Sequence, residues 1–324
     1  MKAIVYDRYG PPEVLRIAEV EKPVPKENEV LIQIRATTVT SGDWRTRSLI
    51  VPTGFGLIVR LVFGISKPRQ PILGTELAGE VEAIGKNVTR FKVGDQVFAF
   101  SGARMGCYAE YICMREDGPV LRKPRNLSYE EAAALSFGGT TALDFFRRGK
   151  LQKGERVLIN GAAGGVGTAA VQIARHFGAE VTGVCSAANV DLVRSLGAMH
   201  VIDYTKEDFT KNGETYDIIM DTVGNAPFAR CKGSLRPGGR FLAVIATLPQ
   251  MLQVPFVTLT SKKKIVAGPA PERVEDLIYL AKLAESGELN PVISRRYAFD
   301  QIIEAHRYVD TGHKKGNVVI DVAG

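Results

Sequence analysis

The sequence predicts an α/β protein with two parts: an antiparallel, barrel-like part and a doubly wound parallel sheet covered by helices on both faces. Three observations predict it. Short strands separated by turns fill residues 1–120. From Arg156 onward strands and helices alternate, as they do in βαβ units. Glycine makes up 33 of the 324 residues, an excess that indicates tight turns and close backbone approaches.

The barrel-like part is predicted from its strand pattern. Residues 29–36 alternate apolar and polar side chains, as a half-buried strand does. Residues 78–84 and 96–100 repeat this pattern, and Gly94 and Asp95 form a turn before the last of these strands. Alternation of this kind favours an antiparallel sheet.

The parallel-sheet part follows Lys123. Ser128 and Glu131 form a capping box, which predicts the start of a helix. We place this domain at residues 123–268 and assign residues 1–122 and 269–324 to the other domain. The remaining predicted elements are strands at 157–160, 180–184, 201–202, 216–221, 240–246 and 265–267, a helix at 166–177 and one ending at Leu196, two helices from Pro269 onward, and a terminal strand at 317–322.

Composition and cysteine usage exclude several classes of protein. The net charge is 42 − 35 = +7, which favours an anionic ligand such as a phosphorylated cofactor and does not require nucleic acid. Four scattered cysteines without a CxxC pair argue against a zinc finger or a disulfide framework. Such thiols fit a reducing compartment, and we expect the cytoplasm. No secretory signal is predicted, because the N-terminus has no basic region followed by an apolar one. No membrane span is predicted, because the longest apolar stretch, residues 49–65, is interrupted.

A glycine-rich loop is the strongest functional signal. Residues 157–167 read VLINGAAGGVG, and they follow a strand and open a helix, which is the context of a dinucleotide-binding loop. The glycines permit a tight turn, a close approach to a pyrophosphate and close packing of the helix on the strand. The amides at the helix start point at the anion. A turn without a ligand is the alternative. The cofactor-binding residues predicted here are Gly161, Ala162, Gly164, Gly165, Val166 and Gly167.

The next strand end predicts which dinucleotide is preferred. An NAD site places an acidic residue there for the ribose hydroxyl, but the nearest acid, Asp191, falls inside the following helix. Ser186 and Asn189 can bond a 2′-phosphate, and Tyr204 ends the next strand. This arrangement favours NADPH over NADH. A helix-capping role of Ser186 and Asn189 is compatible with both cofactors.

Several short motifs extend over nearly the whole chain: GTELAGEV at 74–81, VGDQV at 93–97, YAEY at 108–111, LGA at 196–198, DTVG at 221–224 and LRPGG at 235–239. With the glycine-rich loop, they resemble the medium-chain dehydrogenase/reductase superfamily, and within it the zinc-independent quinone oxidoreductases related to ζ-crystallin. The resemblance implies a GroES-like β-barrel catalytic domain plus a Rossmann domain. It also implies hydride transfer from NADPH to a quinone or an α,β-unsaturated carbonyl.

The departures from the zinc alcohol dehydrogenases are informative. That branch has zinc-binding residues where this chain has Thr40 and Thr75, a third near Phe137, and a hydroxyl relay where this chain has Gly42. Three protein ligands and a water make a catalytic zinc site, and none of the three is present here. The resemblance therefore implies no zinc. Without zinc, conjugated carbonyls and quinones are the better substrates, because the negative charge brought by the hydride delocalises onto their oxygen.

The resemblance also assigns residues to the site. Thr40 replaces an Asn beside the nicotinamide, and its hydroxyl can bond the carboxamide or the substrate oxygen. Asp43 has either a capping or a catalytic role, and Arg45 stands where the family often has a Tyr. Trp44 is placed beside Asp43 in the substrate pocket. The cofactor positions implied are Thr141 and Gly224 near the nicotinamide ribose, Ile245 and Ala246 beneath the ring, and Asn317 in place of a basic residue that reaches the pyrophosphate.

Three features have two or more interpretations. Arg47 either binds a substrate anion at the pocket or forms a surface ion pair. Glu76 is either an acid remaining from a metal shell or a residue that ties down its loop. The apolar residues 49–65 form a mobile lid, a packed core helix or a dimer contact.

Two other functions compete with the reductase. One is a metal-free alcohol or aldehyde oxidoreductase, which is disfavoured because the site would have no electrophile to polarise a simple carbonyl. The other is a non-catalytic NADPH-binding sensor or RNA-binding protein, but the sequence has no aromatic RNA-binding motif and no dense basic stripe. We expect a small-molecule substrate and no nucleic acid. We also expect a homodimer, formed by pairing of the edge strand at residues 264–267 with its twin.

Overall fold

The structure, a computed structural model, describes residues 1–322 and forms two compact units. The first contains Met1–Val51, Gly56–Phe137 and the chain from Glu272 onward, and the second contains Pro52–Phe55 and Gly138–Pro271. The second unit begins later than the predicted residue 123. The helix that starts at Tyr129 packs against strands of the first unit, and this packing accounts for the later start.

The N-terminal segment of the first unit contributes seven strands and three helices. The capping box at Ser128 is confirmed: its side chain accepts from the Glu131 amide, and the Glu131 carboxylate accepts from the Ser128 amide. The elements are β1 (Lys2–Val5), β2 (Arg16–Glu19), β3 (Glu29–Thr38), α1 (Ser41–Ser48), α2 (Gly56–Phe63), β4 (Glu76–Ile84), β5 (Gln96–Phe100), β6 (Tyr111–Arg115), β7 (Val120–Arg122) and α3 (Tyr129–Ala133).

The second unit is a six-stranded parallel sheet with connecting helices. Its strand order, β10-β9-β8-β11-β12-β13, steps outward in both directions from β8, so the predicted doubly wound sheet is confirmed. The elements are α4 (Ser136–Arg148), β8 (Arg156–Asn160), α5 (Gly165–His176), β9 (Glu180–Cys185), α6 (Val190–Ser195), β10 (His200–Asp203), β11 (Tyr216–Asp221), α7 (Phe228–Cys231), β12 (Leu235–Ala243), α8 (Leu248–Thr260) and β13 (Lys264–Ala267).

The chain then returns to the first unit with α9 (Val274–Glu285), β14 (Ile293–Ala298), α10 (Ile302–Asp310) and β15 (Asn317–Asp321). The strand order is β14-β15-β3-β4-β5-β7, and β6 also pairs with β3. All of these pairs are antiparallel except β14–β15, as expected for the barrel-like part. The C-terminal strand β15 thereby lies beside the N-terminal strand β3.

Each unit has its own hydrophobic core. In the first unit, apolar side chains of β3, β4 and β5 such as Ile32, Leu77 and Val97 are fully buried together. In the second, Leu158 and Ile219 are fully buried, on adjacent strands. Burial of this kind contributes about 25 cal/mol per Å² of apolar surface, so each unit has the means to hold its own site rigidly.

Two predictions about elements are wrong, and one helix was not predicted. β12 ends at Ala243, so Ile245 and Ala246 follow the strand instead of belonging to it. Helix α8 was not predicted, because prolines at 249 and 255 indicate a break; the first occupies the opening turn, where it is tolerated. Residues 49–65 contain α2, none of whose residues is buried, which excludes a packed core helix. Within residues 1–322, no helix is both long and apolar enough to cross a membrane.

Candidate active site

The glycine-rich loop of the second unit has the geometry of an anion cradle. Gly161 has a φ of 82°, and a Cβ on it would lie 2.5 Å from the Thr222 hydroxyl. A Cβ on Gly167 would lie 2.1 Å from the Gly161 carbonyl, so α5 packs directly against the loop. Gly164 caps α5 without a side-chain bond. The Thr168 amide makes the first bond of the helix, to the Gly164 carbonyl at 2.8 Å. Within residues 1–322, the amides of Gly165, Val166 and Gly167 donate no hydrogen bond, which leaves them for an anion.

A buried carboxylate holds the neighbouring loop. Asp221, at the end of β11, accepts hydrogen bonds from Asn160 Nδ2 at 2.9 Å, the Gly224 amide at 3.0 Å and the Ala226 amide at 3.2 Å. Gly224 has a φ of 88°, and a Cβ on it would lie 2.9 Å from Ile245 Cγ2. The loops after β11 and β12 therefore meet. Ala246 is buried beyond them, and Thr141 is half-buried on α4.

The end of β9 carries the polar groups predicted for the ribose. Asn189 Nδ2 donates to Ser186 Oγ at 3.1 Å, and Tyr204 is largely exposed with its amide bonded to the Cys185 carbonyl. Asp203 at the end of β10 is level with Cys185 in the sheet. Its hydrogen bond from the Thr205 hydroxyl lowers the pKa of Asp203, so the group is ionised. The sequence pattern does not identify Asp203, because the pattern places the ribose-binding acid at the end of β9, whereas Asp203 ends the neighbouring strand β10.

These residues fit a dinucleotide. The cradle that a Cβ would fill and the free amides of α5 suit a pyrophosphate. Thr141, Gly224, Ile245 and Ala246 belong to the same unit as the cradle, but Asn317 belongs to the other. The Asn317 amide group donates to the Val292 carbonyl at 3.2 Å, so its side chain helps to join β15 to the turn before β14.

In the first unit, Thr40 and Asp43 form a buried capping box at the start of α1. Thr40 Oγ1 donates to Asp43 Oδ2 at 2.6 Å, and the Thr40 amide donates to the same oxygen at 2.8 Å. The Gly74 amide donates to the other oxygen at 3.1 Å. Asp43 is thus a capping residue, as one prediction held. Burial raises the pKa of its carboxyl to about 6 despite these donors.

Two further ionisable side chains lie near Asp43: Glu76, which is buried, and Lys314, which is half-buried. Glu76 Oε1 accepts from Thr38 Oγ1 at 2.5 Å, and Oε2 accepts from the Phe137 amide at 2.6 Å, so this residue ties β3 and β4 to the start of α4. Burial raises the pKa of Glu76 to about 7. Lys314 donates to the Val39 carbonyl at 3.3 Å, and burial lowers its pKa to about 8 against the opposing charges of Glu76 and Asp43. No local sequence pattern indicates that Lys314 lies at this site.

Arg47 is buried instead of lying at the surface. Its side chain is fully buried, and Nη2 donates to both carboxylate oxygens of Asp310 at 2.6 and 2.7 Å. His306 is buried too, and burial together with the Arg47 charge lowers its pKa well below the usual range. Trp44 is half-buried against the core and stacks with the Arg45 guanidinium at 4.9 Å. The ion pair of Arg47 is therefore an internal one.

Comparison with known proteins identifies two family domains in the chain. Residues 26–125 match the alcohol dehydrogenase GroES-like domain, and residues 196–320 match the zinc-binding dehydrogenase domain. A chloroplastic quinone-oxidoreductase homolog of Spinacia oleracea is 32% identical, over 99% of this chain and 98% of its own length. The chain belongs to the medium-chain dehydrogenase/reductase superfamily, in its quinone oxidoreductase branch.

Other members of the superfamily are similar to this chain in sequence and in fold. The 2-methylene-furan-3-one reductase of Solanum lycopersicum is 32% identical, over 99% of this chain and 79% of its own length. The solved structure of a quinone oxidoreductase from Coxiella burnetii superimposes with a TM-score of 0.87 at 30% identity, covering 99% of both chains. The predicted GroES-like and Rossmann architecture is thereby confirmed.

The zinc-ligand positions of the superfamily come together here, but their side chains do not fit zinc. Thr40 Oγ1 and Thr75 Oγ1 are 3.4 Å apart. A Cβ on Gly42 would lie 3.3 Å from the Phe137 ring and 3.4 Å from Thr40 Oγ1. Both side chains are hydroxyls, whereas zinc takes Cys, His and carboxylate ligands. The carboxylate bonded to Thr40, that of Asp43, already accepts from the Thr40 hydroxyl and from the Thr40 and Gly74 amides. Within residues 1–322, no cluster of His, Cys, Asp and Glu could hold a metal ion.

Proposed function

We propose that this protein is a zinc-independent, NADPH-dependent reductase of quinones or α,β-unsaturated carbonyls. The observation that carries the proposal is the pair of threonine hydroxyls, Thr40 and Thr75, at positions where the zinc dehydrogenases have ligands. Two hydroxyls cannot act as a Lewis acid on a simple carbonyl, but they can bond the oxygen of a conjugated acceptor. Relatives named as quinone oxidoreductases and an enone reductase support this choice.

When bound, NADPH supplies the hydride, and this chain must supply the proton. Thr40 Oγ1 is the donor that we propose. While Asp43 is ionised, its Oδ2 accepts the Thr40 hydroxyl proton. When Asp43 is protonated, its own O–H donates to Thr40 Oγ1, and the Thr40 hydroxyl becomes free to donate to the acceptor oxygen. A proton then moves from Asp43 to Thr40 as the Thr40 proton leaves, and solvent restores the proton on Asp43.

Isotope transfer tests this function. NADPH deuterated at the transferred C4 position would be mixed with an enone, and the product analysed by mass spectrometry and NMR. We expect one deuterium at the β-carbon of the product and one solvent hydrogen at the α-carbon. An unlabelled product would exclude hydride transfer to the enone. Absence of product from the enone and of NADPH oxidation with a panel of quinones, while NADPH still binds, would exclude the reductase and favour the sensor or RNA-binding alternative.

The preference for NADPH is also proposed. The Ser186–Asn189 pair can bond a 2′-phosphate, while the nearby Asp203 carboxylate repels one. We therefore expect Asp203→Asn to tighten NADPH binding relative to NADH, and Ser186→Ala to weaken it. Titration calorimetry with both dinucleotides measures the ratio. If the ratio of NADPH to NADH affinity is unchanged in both variants, these residues do not determine the cofactor preference.

We further propose a homodimer, and we place the protein in the cytoplasm. β13 is an edge strand of the parallel sheet, and the preceding helix α8 exposes Leu252, Phe256 and Leu259 by 72%, 68% and 86%. An open edge beside an apolar helix face favours association. Light scattering that gives a monomer mass would refute the dimer. The four free cysteines fit a reducing compartment, and localisation of a tagged protein in its host tests the cytoplasm.

A further inference from the structure

We propose that α2 and the turn that follows it form a docking surface for an anionic lipid bilayer. The α2 face consists of Leu57, Ile58, Leu61, Val62 and Ile65, which are exposed by 71%, 46%, 52%, 54% and 62%. Single exposed aliphatic residues are ordinary, but five on nine consecutive positions form a contiguous apolar patch, which indicates an interaction site. The proposal is independent of the reaction that the protein catalyses.

The α2 face is exposed because of how the helix is seated. Leu57, Leu61 and their neighbours Ile58 and Val62 recur at helical spacing and lie on one side. Phe63, on another side, packs against the core of the first unit. Gly64 follows the last residue of α2; its φ is 125°, and its carbonyl accepts from Tyr9 Oη at 2.9 Å. The fold therefore holds the helix from behind and turns its aliphatic side chains outward.

Three cations accompany the α2 face. Arg60 donates to the Ile65 carbonyl at 2.7 Å and Arg69 to the Val62 carbonyl at 3.3 Å, so both guanidinium groups are held at the C-terminal end of the helix. Lys67 is exposed in the turn between them. Between Asp43 and Glu76 the sequence has no acidic residue. Within residues 1–322, none of the three cations has a carboxylate within 4 Å, whereas exposed arginines such as Arg115 do.

An aliphatic face flanked by unpaired cations matches the chemistry of an anionic bilayer. Such a helix lies in the interface, with its apolar side chains among the acyl chains and its cations at the headgroups. A second copy fits less well, because two-fold pairing of the α2 face would bring like charges together. Single-stranded nucleic acid fits less well too, because the face has no aromatic side chain for bases to stack on.

Vesicle co-sedimentation of the full chain tests the proposal. We expect it to bind vesicles of phosphatidylcholine and phosphatidylglycerol, and to bind pure phosphatidylcholine much more weakly. The double variant Leu57→Gln/Leu61→Gln should weaken binding by more than about tenfold, because it removes two leucine side chains that the bilayer would bury. Lys67→Glu should weaken binding by about fivefold or more, in proportion to the charge removed and reversed. High salt should weaken binding to the anionic vesicles.

A matched control uses two exposed valines outside the α2 face. Val24 and Val93 are 82% and 61% exposed, and Val24→Gln/Val93→Gln should bind as the parent does. Failure to bind anionic vesicles, or an equal loss in this control, would overturn the proposal. A fall from dimer to monomer mass in Leu57→Gln/Leu61→Gln would also overturn it, by making the face a subunit contact. If that variant does not fold, as judged by its melting temperature, Lys67→Glu decides.

Discussion

Thr40 is the residue on which the proposed chemistry depends most. Its hydroxyl caps α1, bonds Asp43 at 2.6 Å and lies 3.4 Å from Thr75. We expect Thr40→Val to lower kcat by about 100-fold, because the proton donor is lost, and to destabilise the fold by about 1 kcal/mol through the lost cap. Thr40→Ser keeps the hydroxyl and should keep most of the activity. Equal kcat values for the Val and Ser variants would refute the role of the hydroxyl.

The pH dependence of turnover follows from Asp43. Burial raises the pKa of this carboxyl to about 6, and the proposed relay needs it protonated. We therefore expect kcat of the parent protein to fall above about pH 6, with a limiting slope of about tenfold for each pH unit. Thr40→Val should abolish this dependence along with most of the rate. A flat profile for the parent between pH 5 and 8, under conditions where chemistry limits the rate, would contradict the relay.

Glu76 links the site to stability. Burial raises its pKa from 4.5 to about 7, so the folded state keeps a proton that the unfolded state releases. Its contribution to stability is present below pH 4.5 and is lost as the pH rises to 7, by on the order of 3 kcal/mol. Glu76→Gln should remove this part of the pH dependence and leave the part that comes from Asp43, whose pKa is also raised by burial. Urea unfolding at pH 5 and pH 7.5 measures it, with the exposed Glu285→Gln as a control that keeps the slope of the parent.

At the scale of elements, the loop between β8 and α5 shows what local sequence can predict. Its glycine spacing, the strand before it and the helix after it all lie within residues 156–176, so the cradle could be predicted without knowledge of the tertiary structure. The buried cluster of the first unit could not. Lys314 meets Val39 only because β15 pairs with β3, and such long-range pairing leaves no local signal.

The packing of α5 on this loop gives a prediction for the element. A Cβ on Gly167 would approach the Gly161 carbonyl to 2.1 Å, so Gly167→Ala must push the helix start away from β8. We expect NADPH affinity to fall by at least about tenfold and stability to fall by about 1–3 kcal/mol. Gly233→Ala is the control, because its Cβ would meet no atom within 4 Å. Fluorescence titration measures the affinity, and unchanged binding in Gly167→Ala would refute the assignment of the cradle.

At the scale of the whole molecule, the proposed reaction uses residues from both units. The proposed dinucleotide cradle belongs to the second unit, and the buried Thr40 and Asp43 of the proposed proton relay belong to the first. The two domain types were predictable because motifs such as GTELAGEV and the glycine-rich loop are contiguous in sequence. The internal pairing of Arg47 with Asp310 was not, because it joins residues 263 positions apart.

The central claim is that hydride reduction proceeds here without a metal. The most direct test is the loss of NADPH absorbance with chelator-treated, metal-analysed protein, offered a panel of quinones and enones. The threonine hydroxyls at the ligand positions predict turnover that survives chelation, with less than one tenth of a zinc ion per chain, as a rough bound for a three-ligand site. Turnover that is lost on chelation and restored by Zn²⁺ would contradict the claim.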